Sequence, residues 1–117
     1  MAHHTNLPLY RDGYDFLLFS FRFTKKLERE YKYTVGEKIK KFSLDLLLEI
    51  VRANRSQEMR KKHILSALEY LETLQVLMRI LRDVGQIGTD TSVGGAEKIN
   101  TMQKQLSGWY GSISSQK

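Results

Sequence analysis

The chain has 117 residues, of which 41% are hydrophobic and 27% charged, a balance that fits one globular domain with a single core. It has no cysteine, which excludes disulfides and thiolate metal sites. It also lacks the roughly 18 to 20 apolar residues of a membrane span and the features of a signal peptide, so a cytoplasmic protein without membrane association is expected. The net charge of +6 is unevenly placed: positions 22–62 carry 13 Lys/Arg against 6 Asp/Glu, and the rest of the chain 6 against 7. Concentrated cations attract polyanions through counterion release, and nucleic acid, an acidic partner protein and an acidic membrane surface all fit that charge.

Pro8 is the only proline, so long helices are permitted after it. The residues ahead of position 9 read as a disordered extension, in which His3 and His4 are given no role. The first helix is expected from Leu9 to about Leu27 or Arg29. Tyr10, Tyr14, Leu17, Phe21 and Thr24 recur at spacings of three and four and share a stripe. The alternating segment from Phe19 to Phe23 also suits a strand. The charges at Glu28–Glu30 and the missing turn signal favour a helix that is apolar on more than one side.

Thr34-Val35-Gly36-Glu37 has the pattern of a capping box opening the second helix. Val35, Ile39, Phe42, Leu46 and Ile50 form its core stripe, while Leu44, Leu47, Leu48 and Val51 widen it beyond the roughly 100° that one core face needs. Asn54 and Arg55 suit its end. Ser56 is the expected cap of the third helix, which runs to about Asp83 or Val84 along Ile64, Leu68, Leu71, Leu74, Met78 and Leu81. Gly85 suits its stop, and Arg79 and Arg82 complement the dipole at its C-terminus. After a loop over residues 85–91, the fourth helix starts weakly near Ser92, because Gly94 and Gly95 disfavour helix. Its stripe is Val93, Ala96, Ile99, Met102, Leu106 and Trp109, and residues 111–117 read as a frayed tail.

Four helices with short connections predict an all-α, antiparallel up-down-up-down bundle over residues 9–110. The surplus apolar surface on the first two helices predicts a homo-oligomer.

The residues that carry chemistry elsewhere are not arranged for it here. No Glu-x-x-His pair of the di-iron type occurs, and Glu58 and His63 are too far apart to share a helical face. His63 stands alone beside Arg60, Lys61 and Lys62 and reads as an exposed or capping histidine. No nucleophile–base set is visible, and Val93-Gly94-Gly95 lacks the Gly-Lys-Ser/Thr of a phosphate loop. Neither an enzyme nor a cofactor is expected. The candidate nucleic-acid contacts are Lys25, Lys26, Arg29, Lys38, Lys41, Arg52, Arg55, Arg60, Lys61 and Lys62. The helix 1–2 and helix 2–3 connections fall at opposite ends of an antiparallel bundle, so these cations should form a stripe suited to tracking phosphates. Tyr31 and Tyr33, interleaved with Lys32, either stack on unpaired bases or pack against the bundle end.

Tyr14-Asp15, Tyr33-Thr34-Val35-Gly36, the segment Leu48 to Asn54, Leu74, the segment Leu77 to Asp83, and Leu106-Ser107-Gly108-Trp109 follow one another in an order that resembles the accessory variability determinant (Avd) of bacterial diversity-generating retroelements. Those proteins are a subgroup of four-helix bundles related to proteins encoded in ribosomal RNA intervening sequences. The resemblance spans residues 9 to 113. It departs after Lys25-Lys26, where relatives often carry a proline and this chain continues Leu27-Glu28, which predicts a longer first helix. The resemblance implies a homo-pentameric, funnel-like ring with a positive surface that binds a reverse transcriptase and nucleic acid, RNA or DNA. It further implies a role when template RNA is copied, with errors at adenines, into cDNA that diversifies a target gene. A protein-interaction scaffold of the intervening-sequence type, with no retroelement role, is the alternative.

Overall fold

The computed structural model describes residues 7–114, all helices and turns, with no strand among them. The elements are α1 (Pro8–Thr24), the one-turn α2 (Arg29–Lys32), α3 (Val35–Arg55), α4 (Arg60–Asp83) and α5 (Thr89–Ser114). Each long helix packs on the one that follows it, and α5 closes the circle on α1. Cross-helix contacts run in opposite directions along each pair. Lys98 meets Asp15 while Gln105 meets Asp12, and Glu49 meets His63 while the Phe42 ring packs against that of Tyr70. The result is an up-down-up-down, four-helix antiparallel bundle about 50 Å long. His3, His4 and most of the expected N-terminal extension lie outside the described residues.

Apolar residues at helical spacing fill the centre: Phe16 of α1, Ile39, Leu46 and Ile50 of α3, Ile64, Leu71, Leu74 and Leu81 of α4, and Ile99, Met102 and Leu106 of α5. The stripes of α3 and α4 follow the expected periodicity. The stripe of α1 does so only at its ends, where Tyr10 packs against the core and Thr24 is buried. Leu9, Gly13, Phe16, Ser20 and Phe23 face the core, whereas Tyr14 and Phe21 are about half exposed. Small residues decide this choice. A Cβ on Gly13 would lie 3.1 Å from Leu47 Cδ1, so the glycine lets α3 approach closely. Ser20 buries its hydroxyl by donating to the Leu17 carbonyl.

Several helix ends differ from expectation. Despite the absent proline, α1 stops at Thr24, whose hydroxyl donates back to the Ser20 carbonyl. The chain then turns to bury Leu27 and delivers the Glu28 amide to the Gln86 side chain at 2.8 Å. The capping box does not form. The Thr34 hydroxyl donates instead to the Glu30 carbonyl, because α2 continues almost to α3, and Glu37 pairs with Lys40. α5 begins at Thr89 rather than Ser92, and Gly95 is buried where a Cβ would lie 2.7 Å from Met78 Cε. A glycine that disfavours helix in isolation is here the point of closest approach to α4.

The cap expected of Ser56 is displaced: its hydroxyl accepts the Met59 amide in a turn ahead of α4, which starts at Arg60 with Met59 in the cap position. The other end of α4 agrees. Gly85, at φ 77°, closes α4 in a Schellman arrangement, with the Gln86 amide reaching the Leu81 carbonyl. Residues 111–114, expected in a frayed tail, are helical because Ile113 still packs against the core. Positions 115–117 lie outside the described residues.

Candidate nucleic-acid interface

The ten candidate cations fall into two groups rather than one stripe. Lys25, Lys26 and Arg29 sit in and after the turn that ends α1, with Lys38 in the first turns of α3 and Lys41 one turn further. Arg52 and Arg55 close α3 at the other end of the bundle, where Arg60, Lys61 and Lys62 open α4. Lys41 and Arg52 are separated by about 16 Å of helix rise. The intervening outward positions of α3 are Leu44 and Leu48, both exposed, and Asp45. Two basic ends are therefore joined by an apolar edge.

Local chemistry then sorts the cations. Lys41 donates to Asp45 at 2.9 Å, and that hydrogen bond holds its ammonium above the ordinary lysine range. Arg52 Nη1 donates to Glu49 at 2.6 Å. Arg60 is clasped: Nε donates to the Ala53 carbonyl at 2.8 Å and Nη2 to the Asn54 carbonyl at 3.2 Å. These are carbonyls that the last turn of α3 cannot pair internally. Lys25, Lys26, Arg29, Lys38, Arg55 and Lys62 are exposed, as is Lys61, whose ammonium lies over an aromatic ring.

Behind the second basic group lies a buried carboxylate with polar partners. Glu49 is 8% exposed and takes Arg52 on one oxygen and His63 Nδ1, 3.2 Å away on α4, on the other. Burial alone would push the Glu49 carboxyl up. Hydrogen bonds from Arg52, His63 and Ser66 outweigh that effect and hold it below the usual glutamate range. His63, expected to be exposed or capping, is half-buried and ties α4 to α3. The two partners are 14 positions apart on different helices, a pairing that spacing within one helix does not display.

Aromatic rings accompany both basic groups. Lys32 Nζ lies 5.9 Å above the ring of Tyr33, which is 62% exposed, while Tyr31 packs against the core. At the other end, the Arg60 guanidinium lies 5.5 Å from the Trp109 ring and Lys61 Nζ 6.0 Å from the Tyr110 ring. No pattern within one sequence segment displays that second cluster. It joins residues almost fifty positions apart, and only the antiparallel return of α5 brings them together. Among the described residues, no three His, Cys, Asp or Glu side chains gather to share a metal ion, and no helix is long and apolar enough to cross a membrane.

Fold and site together define a small basic helical bundle with cations and aromatic rings at both ends. A family model described as bAvd-like matches residues 10–113, and the chain belongs to that family. No curated protein matches it significantly.

Proposed function

We propose that this protein is a non-catalytic accessory factor of a diversity-generating retroelement. It binds the element's reverse transcriptase and its template RNA and supports mutagenic cDNA synthesis, as a homo-oligomer, pentameric by resemblance, in the cytoplasm. Membership of the bAvd-like family is the observation that carries this reading. The exposed cations at both ends support it physically. They offer phosphates a charge footprint without base-specific geometry, so sequence selection falls to the polymerase and its RNA.

The oligomer has its own support. Tyr14 and Phe21 on α1 and Leu44 and Leu48 on α3 are exposed along neighbouring helices. Leu65 and Val76 are exposed on the far side, on α4, which also carries the exposed Glu69 and Glu72. Two apolar sides on one chain can meet as unlike faces, and such a contact closes into a ring when its rotation allows.

The test is titration of the purified protein with a structured RNA across a salt series, with duplex DNA as control, followed by co-purification with the cognate reverse transcriptase. Binding that weakens steeply with salt is expected, with a log–log slope that counts the phosphates neutralised. The combined change of Arg55, Lys61 and Lys62 to Glu should weaken it while helicity is retained. Absence of RNA binding at low salt refutes the nucleic-acid half of the reading.

A further inference from the structure

Where α3 ends and α4 begins, cations and rings interleave in a way that phosphate contact alone does not require. Trp109 and Tyr110 are neighbours on the last turns of α5, both half-buried with their inner parts against the core. Arg60 covers the first and Lys61 the second. Arg60 is not a loose surface side chain, because its two hydrogen bonds to the end of α3 fix the guanidinium beside the indole. Arg55, the last residue of α3, and Lys62, in the first turn of α4, are exposed at the same end of the bundle. Cations satisfy phosphates, whereas a fixed ring or guanidinium plane offers something only a base can use, a flat surface to stack on. At the other end of the bundle Phe21 and Tyr33 are more exposed, under Lys40 and Lys32, and Tyr33 follows a one-turn helix whose packing is against α3. It lacks a clasped partner to hold it in place.

We propose that the Arg60–Trp109 and Lys61–Tyr110 pairs form a stacking platform for unpaired bases of a single-stranded nucleic acid, with Arg55 and Lys62 holding the adjacent phosphates. This rests on the nucleic-acid reading above and adds a selectivity to it. Bases in a duplex are stacked on one another and present only their edges, so a platform favours single strands, loops and strand ends. Backbone charge is shared by both forms, and the rings are what discriminate.

Trp109 is the only tryptophan of the chain, so its emission reports on this end alone. The experiment titrates the full chain with an oligouridylate or oligothymidylate of about 12 nucleotides and with duplex RNA of equal length, following probe anisotropy and Trp109 fluorescence together. Both single strands should quench Trp109 in step with binding, the two probes showing whether ribose matters, and duplex should bind with little quenching. Trp109→Leu and Tyr110→Leu should each weaken single-strand binding about 5- to 100-fold and leave duplex affinity within about twofold, with Trp109→Phe restoring most of the loss. Single-strand binding that leaves Trp109 emission unchanged, and is equally tight in Tyr110→Leu, overturns the platform while the accessory reading stands. Failure of every probe to bind at low salt overturns both. Should Trp109→Leu fail to fold, the wild-type quenching and Tyr110→Leu decide the matter.

Discussion

At the scale of single residues, the ten cations are not equivalent, and stability separates them. Arg60 satisfies two carbonyls and covers Trp109, so Arg60→Ala should cost about 1.5–3 kcal/mol in urea unfolding. Arg60→Lys should recover only part of that, because an ammonium does not reproduce the planar fork. Lys62→Glu, at an exposed position, should change stability by no more than about 0.5 kcal/mol. Glu49 gives a pH signature. Its folded-state carboxyl is held below the ordinary glutamate range, so the unfolded chain takes up the proton at higher pH than the folded one. The stabilisation is therefore complete above the ordinary glutamate pKa and disappears as pH falls through the folded value. Glu49→Gln should cost about 1–2 kcal/mol at neutral pH, and denaturant melts of the two proteins should converge as the solution becomes acidic.

Among the elements, long periodic stripes were legible and close approaches were not. Ile39, Leu46 and Ile50 of α3, and Ile64, Leu71, Leu74 and Leu81 of α4, lie where a 3.6-residue period puts them. On α1 the same period fits two stripes, and the more aromatic one is the wrong one. Helix–helix distance selects the stripe holding Gly13 and Ser20, and that distance is a property of the pair, not of either sequence segment. The Thr34–Glu37 box fails for a related reason: a short helix just upstream supplies a competing acceptor. Glycines make the distinction measurable. A Cβ at Gly94 meets nothing within 4 Å, so Gly94→Ala should stabilise by about 0.5–1 kcal/mol. A Cβ at Gly36 would sit 3.2 Å from the Tyr31 carbonyl, which belongs to backbone and cannot swing aside. Gly36→Ala should accordingly destabilise by about 1 kcal/mol or more, read as a lower midpoint in thermal unfolding.

For the whole molecule, the charge asymmetry visible in the sequence survives as two basic ends, and the continuous stripe does not. Counting charges located the cations, but their grouping depends on Leu44 and Leu48 occupying the outward turn of α3 between them. The surplus apolar surface was legible as a quantity, and the structure assigns it to named positions. Introducing Glu at both Leu44 and Leu48 should lower the oligomer mass measured by light scattering while leaving helicity unchanged. An unaltered mass would move the subunit contact elsewhere. The ring–cation cluster at Trp109 was invisible in sequence because it depends on α5 returning beside the start of α4.

The closing contact of the circle, α5 against α1, joins the first and last long helices, while the other main long-helix contacts join sequential neighbours. During synthesis α3 can therefore pair with α4 as soon as both have emerged, across a linker of only a few residues. The flank of α1 that carries Asp12, Asp15 and Phe19 has no cover until α5 leaves the ribosome. Each new chain thus passes through a three-helix interval with that flank open, and its escape from aggregation depends on how quickly translation delivers α5.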